Sequence, residues 1–378
     1  METWSAHQLV TAAEPSLGPA IAEQLRRYST QLRRQELPVI FSLQHLAKIT
    51  GVQYQTLHDT VRRRREAANY RMYAVSKRSG GRRFIHAVCG ELKAVQQFIN
   101  AEILQRCKPH PCSYAFHSSG GIRQCAAAHC GARWLFQFDL ADFFYDVTEV
   151  DVYRIFHGLG YRRLLAFEMA RLCTTTRLPK TFLQLPATRR RDLTQVGDHE
   201  VDRIRPYQRH QRGVLPQGAP SSPMLANLAA AALDCTITEY ADNNGLVYTR
   251  YADDITLSAR DLRYDRARIR RQVISMIRKC GFRENPNKCR IAGPGSKKVV
   301  LGLLVDGESP RASRETYRQI DRLVYGVRKF GGKAAAAHFG FESEYGFRNH
   351  LAGLVAFIKS VDLDRWNELS EVLRHVGI

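Results

Sequence analysis

The sequence predicts an α+β protein, a mixed region of helices and antiparallel strands closed by an all-helical tail. Three observations carry that prediction. Short runs rich in aromatic and β-branched residues, at 70–86, 133–139 and 246–259, are separated by longer helical patterns. Turn residues interrupt the first and last of these runs, Ser79-Gly80-Gly81 in one and Asp253-Asp254 in the other. From 313 onward the pattern is helical throughout, and this order of runs suggests two main structural units.

Each element has a local reason. Residues 1–70 read as helical. Ser42 is placed to cap a helix in which Leu43, Leu46, Ala47 and Ile49 recur at helical spacing before Gly51. A second helix follows in VQYQTLHDTVRRRRE. Two helices around a glycine turn fit plain helical packing, and they are also the pattern of a helix-turn-helix DNA reader. YRMYAVSKRSGGRRFIH (70–86) reads as a β-hairpin, and a helix is expected over 90–106. RWLFQFD (133–139) is a strand and 149–173 is helical. The stretch 174–212 is irregular and strongly basic, and a long loop of this kind is usually functional or disordered. Past it come an Ala-rich helix (224–241), two short strands around an acidic turn (246–259), a helix (265–281) and a strand in KKVVLGLLV (297–305). In the tail, Tyr317, Ile320, Leu323, Val324 and Val327 form one apolar stripe, and Arg318, Arg322, Arg328 and Lys329 lie off it.

Charge narrows the function. The 378 residues hold 57 Lys and Arg against 36 Asp and Glu, a net +21, which favours a polyanion such as a nucleic-acid backbone. Basicity for solubility alone is the bland alternative, and the size of the imbalance favours the polyanion reading. No apolar run approaches the roughly 18 residues of a membrane span, and the start METWSAHQLVTAAEPS lacks a secretion pattern. A cytoplasmic protein is expected, with its nine cysteines reduced. Cys107, His110, Cys112, Cys125, His129 and Cys130 fall close together, but their spacing is not that of a standard zinc finger, and ordinary thiols are the better reading.

The chemistry-bearing residues are acidic. Asp253 and Asp254 sit at the turn of the predicted hairpin, and Asp139 ends a separate strand. Carboxylates brought together this way can hold two divalent ions about 3.5–4 Å apart for phosphoryl transfer. One ion would lower the pKa of an attacking hydroxyl, and the other would neutralise the triphosphate and its leaving group. An Asp-Asp turn by itself is as easily a simple turn.

Context decides between those readings. FDLADFF (138–144), LPQGAPSSP (215–223) and Tyr251-Ala252-Asp253-Asp254, in this order, resemble the reverse-transcriptase family, in its bacterial retron-like branch, from about residue 40 to the C-terminus. The resemblance implies a right-hand polymerase fold. Residues 1–70 would lead into the fingers, 71–307 would interleave fingers and palm, and 308–378 would form a helical thumb. It implies an RNA-directed DNA polymerase copying a cognate structured noncoding RNA from deoxynucleoside triphosphates, in anti-phage defence, with a possible effector protein. Mg2+ would be the metal, with Mn2+ a possible substitute. Asp139, Asp253 and Asp254 would be catalytic and, with the carbonyl of Leu140, would ligate the metal.

The remaining roles follow the same resemblance. Phe144, five residues after Asp139, would be the steric gate against a 2′-hydroxyl. Gln217 and Gly218 would contact the incoming nucleotide and template, and Lys77 and Arg83 would grip the triphosphate. Lys288, in GFRENPNKCRI, would donate a proton to pyrophosphate. Each has a plainer reading as packing, turn or solvated charge. Arg189, Arg190 and Arg191 in the basic stretch, and Arg318, Arg322, Arg328 and Lys329 in the tail, are expected to meet nucleic-acid phosphates.

Two departures from the retron pattern stand out. Where those enzymes usually carry Asn-Ala-x-x-His, this chain has Cys125-Ala126-Ala127-Ala128-His129, and where they carry Val-Thr-Gly it has Val300-Leu301-Gly302. In the family both motifs are tied to handling of retron RNA. Related defence reverse transcriptases, a template-independent or protein-primed polymerase of the abortive-infection type, and a non-catalytic RNA-binding scaffold are the rival readings.

Overall fold

A computed structural model describes residues 4–76, 81–179, 212–261 and 264–375. The chain divides into two compact units and passes between them repeatedly. The first holds Met1–Pro111, Leu140–Cys235 and Ser275–Arg283, and the second Cys112–Asp139, Thr236–Ile274 and Glu284–Ile378.

The first unit is mainly helical. After α1 (Ala6–Leu17) and α2 (Pro19–Arg34), Ser42 caps α3 (Leu43–Thr50) as the sequence suggests, accepting from the His45 amide at 3.2 Å, and Gly51 ends it at φ 68°. The next helix, α4 (Tyr54–Val61), is shorter than the sequence pattern. Arg63 leaves it at φ 61° and buries its guanidinium against Glu149 at 2.6 Å and Glu66 at 3.0 Å. Tertiary ion pairing overrides helical continuation there, and α5 (Glu66–Asn69) follows. The predicted hairpin is present as β1 (Tyr70–Ser76) and β2 (Arg82–Val88), antiparallel with Tyr70 opposite Val88 and Ser76 opposite Arg82.

The expected helix over 90–106 is α6 (Gly90–Phe98), followed by a π-helical turn at Ile99–Ile103 and a 3-10 turn at Leu104–Arg106. α7 (Ile122–Ala127) and β3 (Trp134–Asp139) belong to the second unit. Back in the first, the short α8 (Phe143–Asp146) precedes what the sequence reads as one helix over 149–173. It is two, α9 (Glu149–Gly158) and α10 (Arg163–Cys173), divided where Gly160 takes φ 100°. The Ala-rich run is likewise two helices, α11 (Ser222–Ala229) and α12 (Ala231–Asn243).

The second unit is built on a four-stranded antiparallel sheet. β4 (Val247–Tyr251) and β5 (Asp254–Ala259) form a tight hairpin, and after α13 (Arg266–Lys279) comes β6 (Arg290–Ala292). The strand order is β4-β5-β3-β6. The run 297–305, expected as one strand, folds back on itself as β7 (Val299–Val300) and β8 (Leu303–Leu304). Leu301 and Gly302 both take positive φ, 49° and 85°, the geometry of a two-residue hairpin turn.

The tail is three helices, α14 (Arg314–His338), α15 (Glu344–Lys359) and α16 (Leu363–His375), with α14 kinked at Gly331 (φ 75°, ψ 164°). The predicted stripe faces inward. Ile320, Leu323, Val324 and Val327 are buried among Phe347, Leu351, Ile358 and Leu369, with Tyr317 packed at the edge. Full burial of one such aliphatic side chain stabilises by about 1.5–3 kcal/mol, so this cluster contributes to holding the helices around it.

Candidate active site

The hydrogen-bond ladder of the sheet brings the acidic residues together. β3 and β5 are registered so that Asp139 stands directly opposite Asp254, at the end of the ladder. β5 is also paired to β4 with Tyr251 opposite Asp254, so Ala252 and Asp253 alone make the hairpin turn. Ala252 takes φ 57°, a conformation that favours glycine and costs an L-residue about 1–2 kcal/mol. Strain of this kind is found where function fixes the backbone.

The three acids differ in environment. Asp139 is 5% exposed, Asp253 half-buried and Asp254 exposed. Desolvation pushes the Asp254 carboxyl up to about 6, the negative charges of Asp253 and Asp139 add to the effect, and Lys288 opposes it. Asp254 therefore meets like charge from both of the other acids.

Lys288 and Asn285 meet the cluster at Asp139. Lys288 donates from Nζ to Asp139 Oδ1 at 2.5 Å, while Asn285 donates from Nδ2 to Asp139 Oδ2 at 3.3 Å and from its backbone amide to the Asp139 carbonyl at 2.8 Å. Burial acts to lower the Lys288 pKa, but the bond to Asp139 and the nearby carboxylates outweigh it and raise the group above its ordinary value. Lys288 stands in the 3-10 turn Pro286–Lys288, so its backbone is fixed. A groove of about 560 Å³ opens beside Asp254, with Arg290 and Lys297 on its walls.

Hard oxygen donors brought close together with like charge suit a divalent ion of the Mg2+ type. Among the described residues no three His, Cys, Asp or Glu side chains already stand in coordinating positions. At the acid cluster the Lys288 ammonium is bonded to Asp139.

The first unit holds the other predicted residues. The Leu140 side chain is buried. Phe144, half-buried on α8, packs on Phe143 at 5.7 Å between ring centroids, and Phe143 packs on Phe282 at 5.7 Å. Asp142 enters α8 at φ 54°, and Arg283 bonds Asp142 at 3.4 Å and Asp146 at 3.0 Å. The Ala141 amide donates to the Arg283 carbonyl at 2.7 Å. Arg283 thus brackets the turn that carries Phe144. Sequence reasoning singled out neither Arg283 nor Asn285, although both lie in GFRENPNK beside the lysine it did select.

Gly218 has a packing reason to be glycine. At φ 108° it lies against β2, where a Cβ would meet Ile85 Cγ2 at 2.9 Å and the His86 carbonyl oxygen at 3.2 Å. The carbonyl of half-buried Gln217 accepts from the His86 amide at 2.7 Å. Arg83 is exposed on β2, opposite Val75. Lys77 and Arg189, Arg190 and Arg191 lie outside the described residues. In the tail, Arg318, Arg322, Arg328 and Lys329 are all exposed, and Lys329 stands over the rings of exposed Tyr325 and Phe330 at 5.5 and 5.3 Å.

The cysteine–histidine group resolves into separate contacts. Cys107 donates to the Ile103 carbonyl at 3.4 Å, Cys112 accepts from Thr238 at 3.5 Å, and Cys125 donates to Thr249 Oγ1 at 3.3 Å. His129 is 1% exposed, with Nδ1 and Nε2 each 2.7 Å from a hydroxyl, of Ser258 and Thr249. Burial lowers its pKa to about 4, so the ring is neutral.

Comparison with known proteins closes the identification. The family described as reverse transcriptase (RNA-dependent DNA polymerase) matches residues 75–305, which include the acid cluster and the Gln217-Gly218 block. The chain belongs to the reverse transcriptase family. It is 32% identical over 343 residues to the retron Ec86 reverse transcriptase of Escherichia coli, covering 90% of both chains. It is 30% identical to the retron Mx65 reverse transcriptase of Myxococcus xanthus, covering 90% of this chain and 73% of that one. This reverse transcriptase is therefore an RNA-directed DNA polymerase of the retron-like kind, with a right-hand polymerase fold, an RNA template and a requirement for a divalent metal. No described helix is long and apolar enough to cross a membrane.

Proposed function

We propose that this reverse transcriptase copies a cognate structured noncoding RNA into DNA, in the cytoplasm, as part of anti-phage defence and alongside an effector protein. The single observation that carries the catalytic part is the register of the sheet, with Asp139 opposite Asp254 and Asp253 in the turn beside them. In this reading 71–307 is fingers and palm, preceded by the helical 1–70, and 308–378 is the thumb.

Asp139, Asp253, Asp254 and the Leu140 carbonyl would hold two Mg2+ ions, for which Mn2+ could substitute. Bound there, they would supply activation of the primer 3′-hydroxyl and neutralisation of the triphosphate and leaving pyrophosphate. The protein's own groups do the rest. Arg83 and Lys77 bind the triphosphate of the incoming deoxynucleotide, and Gln217 and Gly218 orient the nucleotide and template. Phe144 excludes a 2′-hydroxyl by its bulk. Lys288 is placed to give a proton to the departing pyrophosphate. Arg189, Arg190 and Arg191, with Arg318, Arg322, Arg328 and Lys329, bind RNA phosphates.

The test is Asp253→Asn, which removes a charged ligand at nearly constant size. Primer extension on an RNA template should fall by roughly a thousandfold or more, because several kcal/mol of barrier lowering are lost. Near-normal extension by a correctly folded variant would reject the site.

A further inference from the structure

Behind the acidic hairpin lies a cation that the reaction does not use. Arg250, in β4, is 0% exposed. Arginine is almost never fully buried unless its donors are satisfied. Its Nη1 donates to the Ala252 carbonyl at 3.0 Å and its Nη2 to Ser113 Oγ at 3.3 Å. The main chain is held as well. The Arg250 amide donates to the Cys112 carbonyl at 2.7 Å, and the Tyr114 amide donates to the Arg250 carbonyl at 2.9 Å.

The acceptor is informative. Ala252 is the turn residue in the left-handed region, at φ 57°. Its carbonyl belongs to the same planar peptide as the Asp253 amide. A guanidinium on that oxygen fixes the orientation of the peptide and so the direction in which Asp253 leaves the turn. Further down the hairpin, Thr249 is held by Cys125 and His129, and His129 also holds Ser258 on β5. That network locks the strands together further down, while Arg250 bonds the turn itself.

We propose that Arg250 is a positioning residue for the metal-binding turn. Through the Ala252 carbonyl it holds Asp253 in its ligating position before a metal arrives. The proposal rests on the assignment of Asp139, Asp253 and Asp254 as the metal site. Fully buried, Arg250 is placed to act through the backbone of the turn.

Two measurements on the full chain, without nucleic acid or nucleotide, test it: binding of Mn2+ by electron paramagnetic resonance, and amide hydrogen exchange of peptides spanning the turn in metal-free buffer. For Arg250→Met, folded by circular dichroism, the Mn2+ affinity should fall about tenfold or more, as for other partners that orient metal ligands. Exchange at the turn should quicken, and Arg250→Lys should recover part of the loss. Wild-type Mn2+ affinity and wild-type turn exchange in folded Arg250→Met would overturn the proposal. If that variant does not fold, Arg250→Lys and Ser113→Ala each loosen one anchor and should show smaller losses in both measurements, and wild-type values in both variants would overturn it equally. Asp253→Asn separates the two levels. If it binds Mn2+ as tightly as the wild type, the metal-site assignment has failed, and hydrogen exchange alone then decides whether Arg250 holds the turn.

Discussion

Removing one charge from the acid cluster should stabilise the metal-free protein, against the usual direction for a substitution in an active site. Asp254→Asn is the cleanest perturbation because it keeps size and polarity. Desolvation, with the charges of Asp253 and Asp139, lifts the Asp254 carboxyl from its ordinary 3.8 to about 6. A shift of that size corresponds to about 3 kcal/mol if the group were dry. Asp254 is exposed, so solvent screening reduces the figure to about 1 kcal/mol. The sign follows from linkage. Where the folded pKa of an acid lies above its unfolded value, the native state binds the proton more tightly, so its stability falls as pH rises through that window and stays low above it. Asp254→Asn lacks that penalty. Urea unfolding in a chelator should show the variant about 1 kcal/mol more stable than wild type near pH 7.5, with the gap closing toward pH 4. Adding Mg2+ should stabilise the wild type more than the variant, because a ligand that binds only the native state shifts unfolding by mass action. A variant less stable at every pH, or a gap that does not change with pH, would refute the reasoning.

Other predictions draw on separate parts of the molecule. Phe144→Ala should admit ribonucleotides far better than wild type in single-nucleotide incorporation, and an unchanged deoxy-to-ribo ratio would reduce Phe144 to its packing on Phe143. Lys288→Gln should bind Mn2+ more tightly, because the ammonium no longer competes for Asp139, while incorporation slows; equal or weaker Mn2+ binding would show that Lys288 does not guard the site. Exchanging Arg318 and Arg322 for Glu should shorten cDNA at moderate salt and leave thermal stability within about 0.5 kcal/mol, since both side chains are exposed. Wild-type product lengths across a salt series would reject a nucleic-acid role for that face.

The sequence made the local devices legible and left the long-range ones hidden. Ser42 and Gly51 bound their helix, the 70–86 hairpin forms, and the Tyr317–Val327 stripe is core, because each depends on nearest neighbours along the chain. Asp139, Asp253 and Asp254 could be selected by motif, and their convergence is a property of register, fixed only when β3 pairs with β5. Errors arose where tertiary contacts overrule propensity. Arg63 ends α4 early for a buried ion pair with Glu149, more than 80 residues away. The run 297–305 lacks any of the usual turn residues except Gly302, and Leu301 in the left-handed region is not predictable from composition. Arg250 was invisible for the same reason, since one arginine in a chain of 57 basic residues looks like any other until its burial is known.

The two departures from the retron pattern take on a different meaning in three dimensions. Cys125 and His129 are each 1% exposed, and their polar atoms are bonded inside the sheet's hairpin. Side chains so placed cannot meet RNA directly, so any influence they have on RNA handling must pass through the packing of β4 and β5. A thiol at 125 still serves that packing, because it donates to Thr249, and the full hydrogen-bonding capacity of an asparagine is not required. Leu301 departs in the same manner. Half-buried, it packs against the cluster of Leu135, Val300 and Leu303, and the apolar contact offsets some of the cost of its left-handed backbone. Both substitutions exchange a polar group for a softer or apolar one at a packed position, and both leave Asp139, Asp253 and Asp254 in place. The departures therefore record a different internal packing of the sheet region and carry no argument against catalysis. The rival reading of a non-catalytic scaffold would need damage at the acid cluster, where strain at Ala252, a buried arginine behind it and a lysine poised on Asp139 all remain.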